Sequence, residues 1–374
     1  MLKSNGEANM KKVLLLTLHS QNNNFGSVLQ AHSLYSFLEE LGLDVTTLNY
    51  QPYYSNGANS PKMFIKKALT NLLFLPYFLI RTKRFNQLIK SKKLTKKAKH
   101  FSELGDISKG YDIFMIGSDQ VWNPHYLCGK DDAYFLKFTD SPNKVSYAAS
   151  IGTKDITDEE LSVIANKLAD FEYVSLREKA SCLQLKEHGL QNAKYVLDPV
   201  FLHDEKYYQR LASKAVKDSG YILAYVIHKD EFISQVIDKL AKAMNKPVIQ
   251  IGGFAKKCNS NKFLRAAGPA EFLALIKNAD FVITSSFHGT AFAHVFNKQF
   301  AVVMPHGNTL RLENILETAG TEDRVIYSLG DVENMLIPID YIPVNARIQA
   351  KRSDSMEYLK QMLDSIEVNK SANM

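Results

Sequence analysis

Cysteine is scarce in this chain. The three cysteines among 374 residues, Cys128, Cys182 and Cys258, stand far apart, and none belongs to a C-x-x-C pair. That spacing supports neither a zinc site nor a disulfide framework, and a reducing cytoplasm is the simplest setting. Long apolar runs are missing too. The run ALTNLLFLPYFLI (68–80) is interrupted by Pro76. It is shorter than the roughly 17–25 apolar residues that span a bilayer. The opening MLKSNGEANMKK has no apolar core of the signal-peptide kind, so the fold is expected to begin near Lys11. Acidic residues are absent from 61 to 99, where twelve Lys or Arg occur. A basic segment with apolar and aromatic residues can lie on an anionic membrane surface; the plainer reading is a buried helix with a solvated basic flank. No nucleic-acid motif accompanies the charge, so nucleic acid is not an expected partner.

The rest of the composition is ordinary for a globular protein: 45% hydrophobic, 23% charged, with a net charge of +7. The length suggests two domains. KKVLLLTL (11–18) reads as a strand, VLQAHSLYSFLEELG (28–42) as a helix and DVTTLNY (44–50) as a second strand. That βαβ order implies a parallel sheet. Further strands are expected at 111–117, 143–152, 172–178 and 193–201. A second alternation starts at GYILAYVI (220–227). Helices follow at 231–245, 268–279 and 290–297, with strands at 246–252, 280–285 and 299–304 between and after them. The expectation is an α/β protein of two Rossmann-like, doubly wound domains facing across a cleft. These are an N-terminal domain at 11–205, carrying the basic apolar segment 61–100, and a C-terminal domain at 215–345. A helical tail, 346–374, is expected to begin its helix near 353. In open α/β sheets ligands bind beyond the carboxyl ends of strands, so the loops there hold the candidate site.

Four loops stand out. HSQNNNFGS (19–27) offers His19, Asn24 and Gly26: amides pair with sugar hydroxyls, and glycine lets backbone approach a ligand, although a capping asparagine would use the same residue types. IGSDQVWNP (116–124) offers Asp119, Gln120, Asn123 and the single tryptophan, Trp122. A carboxylate beside an indole suits a sugar, and Asp119 is a candidate base for an attacking hydroxyl. SLREKAS (175–181) sets Arg177 at a strand end, where its planar fork suits a carboxylate or phosphate. TSSFHGTAF (284–292) puts Ser285, Ser286 and His288 at a strand end, with Gly289 opening a helix. A helix N-terminus attracts anions, and its potential lowers a nearby histidine's pKa until a bound dianion raises it again. His288 is therefore the candidate proton donor. No His/Asp/Cys cluster has ligand spacing, so no metal is expected.

The order NNFGSVLQA…LNY, GSDQVWNP, YAASIG, SLRE, VLDPVFL and PAEFLALIKNADFVITSSFHGTAFA, with a later Arg311, resembles the polysaccharide pyruvyl transferase family from about 11 to 330. The resemblance implies a GT-B-like fold. It also implies transfer of the enolpyruvyl unit of phosphoenolpyruvate to a sugar, often as a cyclic ketal, with phosphoenolpyruvate as co-substrate and no cofactor. Arg177 then corresponds to the arginine that holds phosphoenolpyruvate, and His288 to the general acid. Ser285, Ser286, Gly289 and Arg311 fall on the donor side. His19, Asn24, Gly26, Gln120, Trp122 and Asn123 fall on the acceptor side, and Asp119 or His19 would take a proton from the sugar. One position departs: many members carry arginine two residues before that histidine, where this chain has Ser286, and Arg311 or Arg265 are the candidates to replace its charge. The basic segment would bring the enzyme to a lipid-linked saccharide at the inner membrane face. Two other readings stay open: a GT-B-like glycosyltransferase with a nucleotide-sugar donor, and a non-catalytic saccharide-binding subunit.

Overall fold

The strand KVLLL of β1 (Lys12–Leu16) is buried along all but its first residue, as a central parallel strand must be. The computed structural model describes residues 10–19, 23–52, 54, 74–227, 231–252, 258–305, 307 and 309–367. After β1 the chain enters α1 (Phe25–Glu40). Asn24 ends the preceding loop by accepting from the Gly26 and Ser27 N–H groups at 2.9 and 3.4 Å, so the helix starts three residues earlier than its apolar spacing indicates. β2 (Asp44–Thr47), β3 (Ile113–Ile116) and β4 (Lys144–Ser146) complete a parallel sheet in the order β2-β1-β3-β4. β5 (Val174–Leu176) and β6 (Ala193–Tyr195) continue it through the bridges Val145–Tyr173 and Ala149–Leu176.

The second lobe holds β7 (Ile222–Tyr225), β8 (Val248–Ile251), β9 (Lys262–Leu264), β10 (Phe281–Thr284) and β11 (Gln299–Val302). They run parallel in the order β11-β10-β7-β8-β9. Strand order reverses between β1 and β3 in the first sheet and between β7 and β10 in the second. Those are the two points at which open α/β sheets part their loops and leave a crevice.

The segment 61–100 is described from residue 74, so the part of the apolar run at 68–73 lies outside the described residues. The rest forms α2 (Leu75–Ile89), with Pro76 in its first turn. Beyond it, the bridges Thr47–Leu94 and Tyr50–Ala98 attach the chain to the edge of the first sheet. α2 buries Arg81, Phe85 and Ile89. Arg81 ties the lobes together, donating to Asn23 O at 2.8 Å and Gly252 O at 2.9 Å. Among the described residues no helix is long and apolar enough to cross a membrane.

Further helices relevant to the site are α3 (Glu205–Leu211), α4 (Pro269–Asn278), α5 (Phe287–Val295), α6 (Leu310–Ala319) and α7 (Tyr341–Ser365). α7 starts twelve residues before the sequence reading, capped by Asp340, which accepts from Ile342 N at 2.9 Å. Pro343 falls in the first turn, where a missing N–H leaves no bond unmade. The helix serves both lobes. Val344 and Ile348 bury in the second, while Leu359, Met362 and Leu363 pack on Val13, Leu15 and Leu34 of the first. Lys11 fastens the far end by donating to Leu363 O and Ile366 O at 2.7 and 2.8 Å.

An apolar seam joins the lobes. Phe25 at the head of α1 stacks on Phe272 of α4 at 4.7 Å between centroids, meets Tyr225 edge-on at 5.7 Å and contacts Phe85 at 5.2 Å. Removing such a ring costs about 3–5 kcal/mol where the surroundings cannot collapse. Phe25→Ala is therefore expected to lower the unfolding free energy by about that amount in urea titration; a change under about 1 kcal/mol would show that the seam carries little of the stability.

Candidate functional site

A cavity of about 470 Å³ opens where the two switch points meet. The first lobe contributes Asn24, Asp119, Gln120 and Tyr126 to its lining; the second contributes Ser285, Ser286, His288 and Arg311, with Tyr225, Ile227, Phe287 and Leu312 as apolar wall. Apart from Tyr126, which lies in a turn, each polar residue arrives from the carboxyl end of a strand or from a helix start. Asn24 does two jobs, capping α1 and facing the cavity.

Below the floor lies a closed charge cluster. Arg177 leaves the end of β5 and is 3% exposed. Its Nη1 donates to Asp198 Oδ2 at 2.6 Å and Ser118 Oγ at 3.3 Å, and its Nη2 to Asp119 Oδ1 at 3.2 Å. Its Nε lies 3.7 Å from Glu178 Oε1, and its guanidinium sits 4.9 Å from the Phe287 ring centre. Glu178 accepts from Ser150, and burial pushes its carboxyl above the usual range, against the pull of Arg177. Asp119 also accepts from Ser27 and from the Gln120 N–H. Burial works to raise the Asp119 pKa, but the charges of Arg177, His288 and Arg311 with the Ser27 bond hold it near 2. Asp119 has φ +88°, outside the comfortable range for a side-chain-bearing residue. Such backbone costs on the order of 1–3 kcal/mol and persists where neighbours over-determine it.

His288 lies in the first turn of α5, because the helix begins at Phe287 behind Ser286 and not at Gly289. It is 6% exposed. Its Nε2 is 3.9 Å from Asp198 Oδ2 and has no hydrogen-bond partner among the described residues. Burial lowers its pKa to about 4; Asp198 and Asp119 pull it up, Arg177 and Arg311 push it down. Gly26 presses on the ring from the other lobe: a Cβ there would come within 1.9 Å of His288 Nδ1. Arg311 stands on α6, a helix the sequence reading did not find. Asn314, one turn on, pins α6 to the first lobe by accepting from Lys179 N at 2.9 Å and donating to Arg177 O at 3.2 Å. Burial lowers the Arg311 pKa, and its Nε is buried without a partner among the described residues.

The structure brings His288, Asp119, Ser285, Ser286, Arg311, Asn24 and Gln120 to one cavity. It puts other candidates elsewhere. Arg177 is sealed beneath the cavity with its forks already filled by aspartates. Trp122 is fully buried, its Nε1 donating to Tyr134 O at 2.8 Å and its ring stacked on Phe135, so no sugar can reach it. Asn123 is likewise buried and braces a turn by accepting from His125 N at 3.0 Å. His19 faces Thr17 O at 3.1 Å, away from the cavity, and burial with the charge of Lys92 lowers its pKa to about 4. Gly289 is glycine for packing: a Cβ would meet Thr284 Oγ1 at 2.3 Å. Gly26 touches His288 and does not line the cavity. Sequence reasoning missed Asp198, Asn314 and Tyr126. The VLDPVF segment reads as a strand end, and only the fold turns its aspartate inward. Among the described residues no three His, Cys, Asp or Glu side chains converge as a metal site.

His288 titrates near 4 when folded and near 6.5 when unfolded. The unfolded chain thus binds more protons between those values, and stability falls as pH drops through that window. Unfolding free energy measured from pH 7 to 4 is expected to decline, and His288→Asn to make that decline shallower; an unchanged slope would mean that the imidazole is hydrated in the fold.

No curated protein matches the chain. In fold it is similar to UDP-N-acetylglucosamine 2-epimerase from Rickettsia bellii, with 11% identity, 96% of this chain and 97% of that one covered, and a TM-score of 0.55. The Neisseria meningitidis UDP-GlcNAc 2-epimerase, bound to UDP-GlcNAc, is similar at 11% identity, 97% and 96% coverage and a TM-score of 0.52. So is the N-terminal domain of Candida albicans trehalose-6-phosphate phosphatase, at 10% identity, 97% and 99% coverage and a TM-score of 0.52. At such identities the likeness carries the fold alone, an α/β architecture of GT-B type. The family model for polysaccharide pyruvyl transferase matches residues 24–307, which include the cavity walls from Asn24 to Gly307, and the chain belongs to that transferase family.

Proposed function

We propose that this transferase moves the enolpyruvyl unit of phosphoenolpyruvate onto a sugar of a lipid-linked surface-polysaccharide precursor and closes it to a pyruvate ketal. One observation carries the reading: a single cavity is lined by His288, the start of α5 and Arg311, whose buried Nε has no partner among the described residues. A small dianion needs cationic and N–H partners, and its charge is what would raise the imidazole's pKa into use.

Arg311, which lines the cavity, takes one anionic group of the donor; Arg177 lies beneath it with both Nη atoms turned to aspartates. The first N–H groups of α5 with Ser285 and Ser286 take the other. His288 gives its proton to the methylene carbon; the double-bond pair becomes the new C–H bond and leaves the adjacent carbon electron-poor. An acceptor hydroxyl adds to that carbon and releases its proton to Asp119, with Asn24, Gln120 and Tyr126 holding the sugar. The bond to the phosphate oxygen then breaks; phosphate leaves with the pair and takes the proton from Asp119, which is ionised again. A second hydroxyl closes the ketal and returns a proton to the now-neutral His288. Asp119 is a weak base at its depressed pKa, so it acts as a hydrogen-bond acceptor until the hydroxyl becomes acidic on bonding to carbon.

The acceptor's lipid is met through α2. Leu75, Tyr77, Leu79 and Ile80 are all more than two-fifths exposed, Leu79 at 58%. Lys83 and Lys90 share the outer face with Leu79 at helical spacing and are exposed. Apolar side chains among lysines suit an anionic bilayer surface.

Phosphoenolpyruvate is expected to raise the melting temperature of the protein, and uridine diphosphate to leave it unchanged. Arg311→Ala should weaken phosphoenolpyruvate binding by about tenfold or more, the worth of a charge-assisted hydrogen bond. Stabilisation by uridine diphosphate alone would turn the reading to glycosyl transfer from a nucleotide-sugar. In flotation assays the full chain should bind phosphatidylglycerol vesicles in preference to phosphatidylcholine, with Leu79→Glu about tenfold weaker. Equal binding by that variant would remove α2 from the membrane account.

A further inference from the structure

We infer that Asp198 is the positioning residue of His288: its carboxylate receives Nε2–H, fixing the tautomer and leaving Nδ1 to exchange protons with the ligand. The second half of this statement rests on the proposed transfer; the first half does not.

Asp198 follows β6 and is anchored at both ends of its carboxylate. Oδ1 accepts from Val200 N at 3.1 Å. Oδ2 accepts from Ser118 Oγ at 2.9 Å and Arg177 Nη1 at 2.6 Å, and lies 3.9 Å from His288 Nε2. Each carboxylate oxygen offers about two lone-pair sites; both on Oδ2 are used by Ser118 and Arg177, so Nε2–H shares them in a bifurcated contact. The ring has little freedom to turn elsewhere. Gly26 closes on Nδ1, and Phe287 meets the ring edge-on at 4.9 Å.

The charged groups around His288 come from four elements: Asp198 after β6, Asp119 after β3, Arg177 at the end of β5 and Arg311 on α6. The two arginines oppose protonation. Asp119 bonds Arg177 and Gln120 N through Oδ1 and Ser27 through Oδ2. Among the described residues, Asp198 is the carboxylate with an oxygen within 4 Å of a ring nitrogen. The remaining gap exceeds hydrogen-bond distance by about 1 Å, a step that a charge-assisted bond favours once the ring gains its second proton. Nε2 is buried with no other partner among the described residues, which points the same way, because an orphaned buried N–H is costly. Arg177 thereby acquires a role that its sealed position leaves open. It holds Asp119 and Asp198 apart, one facing the cavity and one facing the imidazole.

Nitrogen-15 spectroscopy of the ring tests this without any substrate, with His288→Asn supplying the assignment. The intact protein should show the neutral ring as the Nε2–H tautomer. Asp198→Asn should lower the His288 pKa by about one unit and mix the tautomers. Ser118→Ala, which keeps the carboxylate, should leave both near those of the intact protein. A dominant Nδ1–H tautomer in the intact protein overturns the inference whether or not the variants fold. So does an unchanged His288 pKa in folded Asp198→Asn. In turnover, Asp198→Asn should shift the acid limb of the pH profile and lower kcat with the donor KM kept; a loss confined to KM would also count against it. If phosphoenolpyruvate proves not to be a substrate, the tautomer result still stands by itself.

Discussion

One guanidinium, closed off from solvent, holds two aspartates apart at the centre of this protein. Burying Arg177 alone would be prohibitive, and burying Asp119 or Asp198 alone would drive each to its neutral form. Together they offset one another, because Arg177 reaches Asp198 at 2.6 Å and Asp119 at 3.2 Å. The cost of desolvating three ions means that this arrangement is a poor source of stability. What it provides is direction: the two carboxylates are fixed to point at different partners. Ser118 on one lobe's switch point and the helix start of the other meet at this cluster, so the cavity's geometry follows from it.

The same economy of charge governs the cavity above. His288 is neutral when the cavity is empty, since burial outweighs its acidic neighbours. Arg311 lines the same space, and its buried Nε has no partner among the described residues. A site arranged this way holds little net charge of its own and changes protonation when a dianion arrives. Gly26 and Asn314 extend that dependence across the lobes, one touching the imidazole from α1 and the other tethering α6 beside Arg177.

Much of this was legible in the sequence, and the exceptions have physical causes. Periodicity located every strand of both sheets except β9, the short edge strand at 262–264, because central parallel strands are continuous apolar runs. Placing ligands at strand ends points to His288, Asp119, Asn24 and Gln120, which the fold brings to one cavity. It misjudged Trp122 and Asn123, which lie in the same loop, because loop position does not say which side chains turn into the lobe. Arg177 reads in the sequence as an anion ligand; the aspartates that occupy it come from segments 21 and 58 positions away in the chain. Asp198 and Asn314 carry no local motif. Their importance arises only where β6 and α6 are folded against β5.

The proposed transfer differs from its rivals in what must leave and what must be gained. A pyruvyl transfer releases inorganic phosphate and adds one pyruvyl unit to the saccharide; a glycosyl transfer adds a sugar and releases a nucleotide; a binding subunit does neither. Mass spectrometry of a lipid-linked saccharide pool incubated with the protein and phosphoenolpyruvate therefore addresses the central claim most directly. The account predicts the pyruvyl mass increment with matching phosphate release, both lost in His288→Ala. A pool unchanged by phosphoenolpyruvate, yet extended by a sugar when a nucleotide-sugar is supplied, would contradict it.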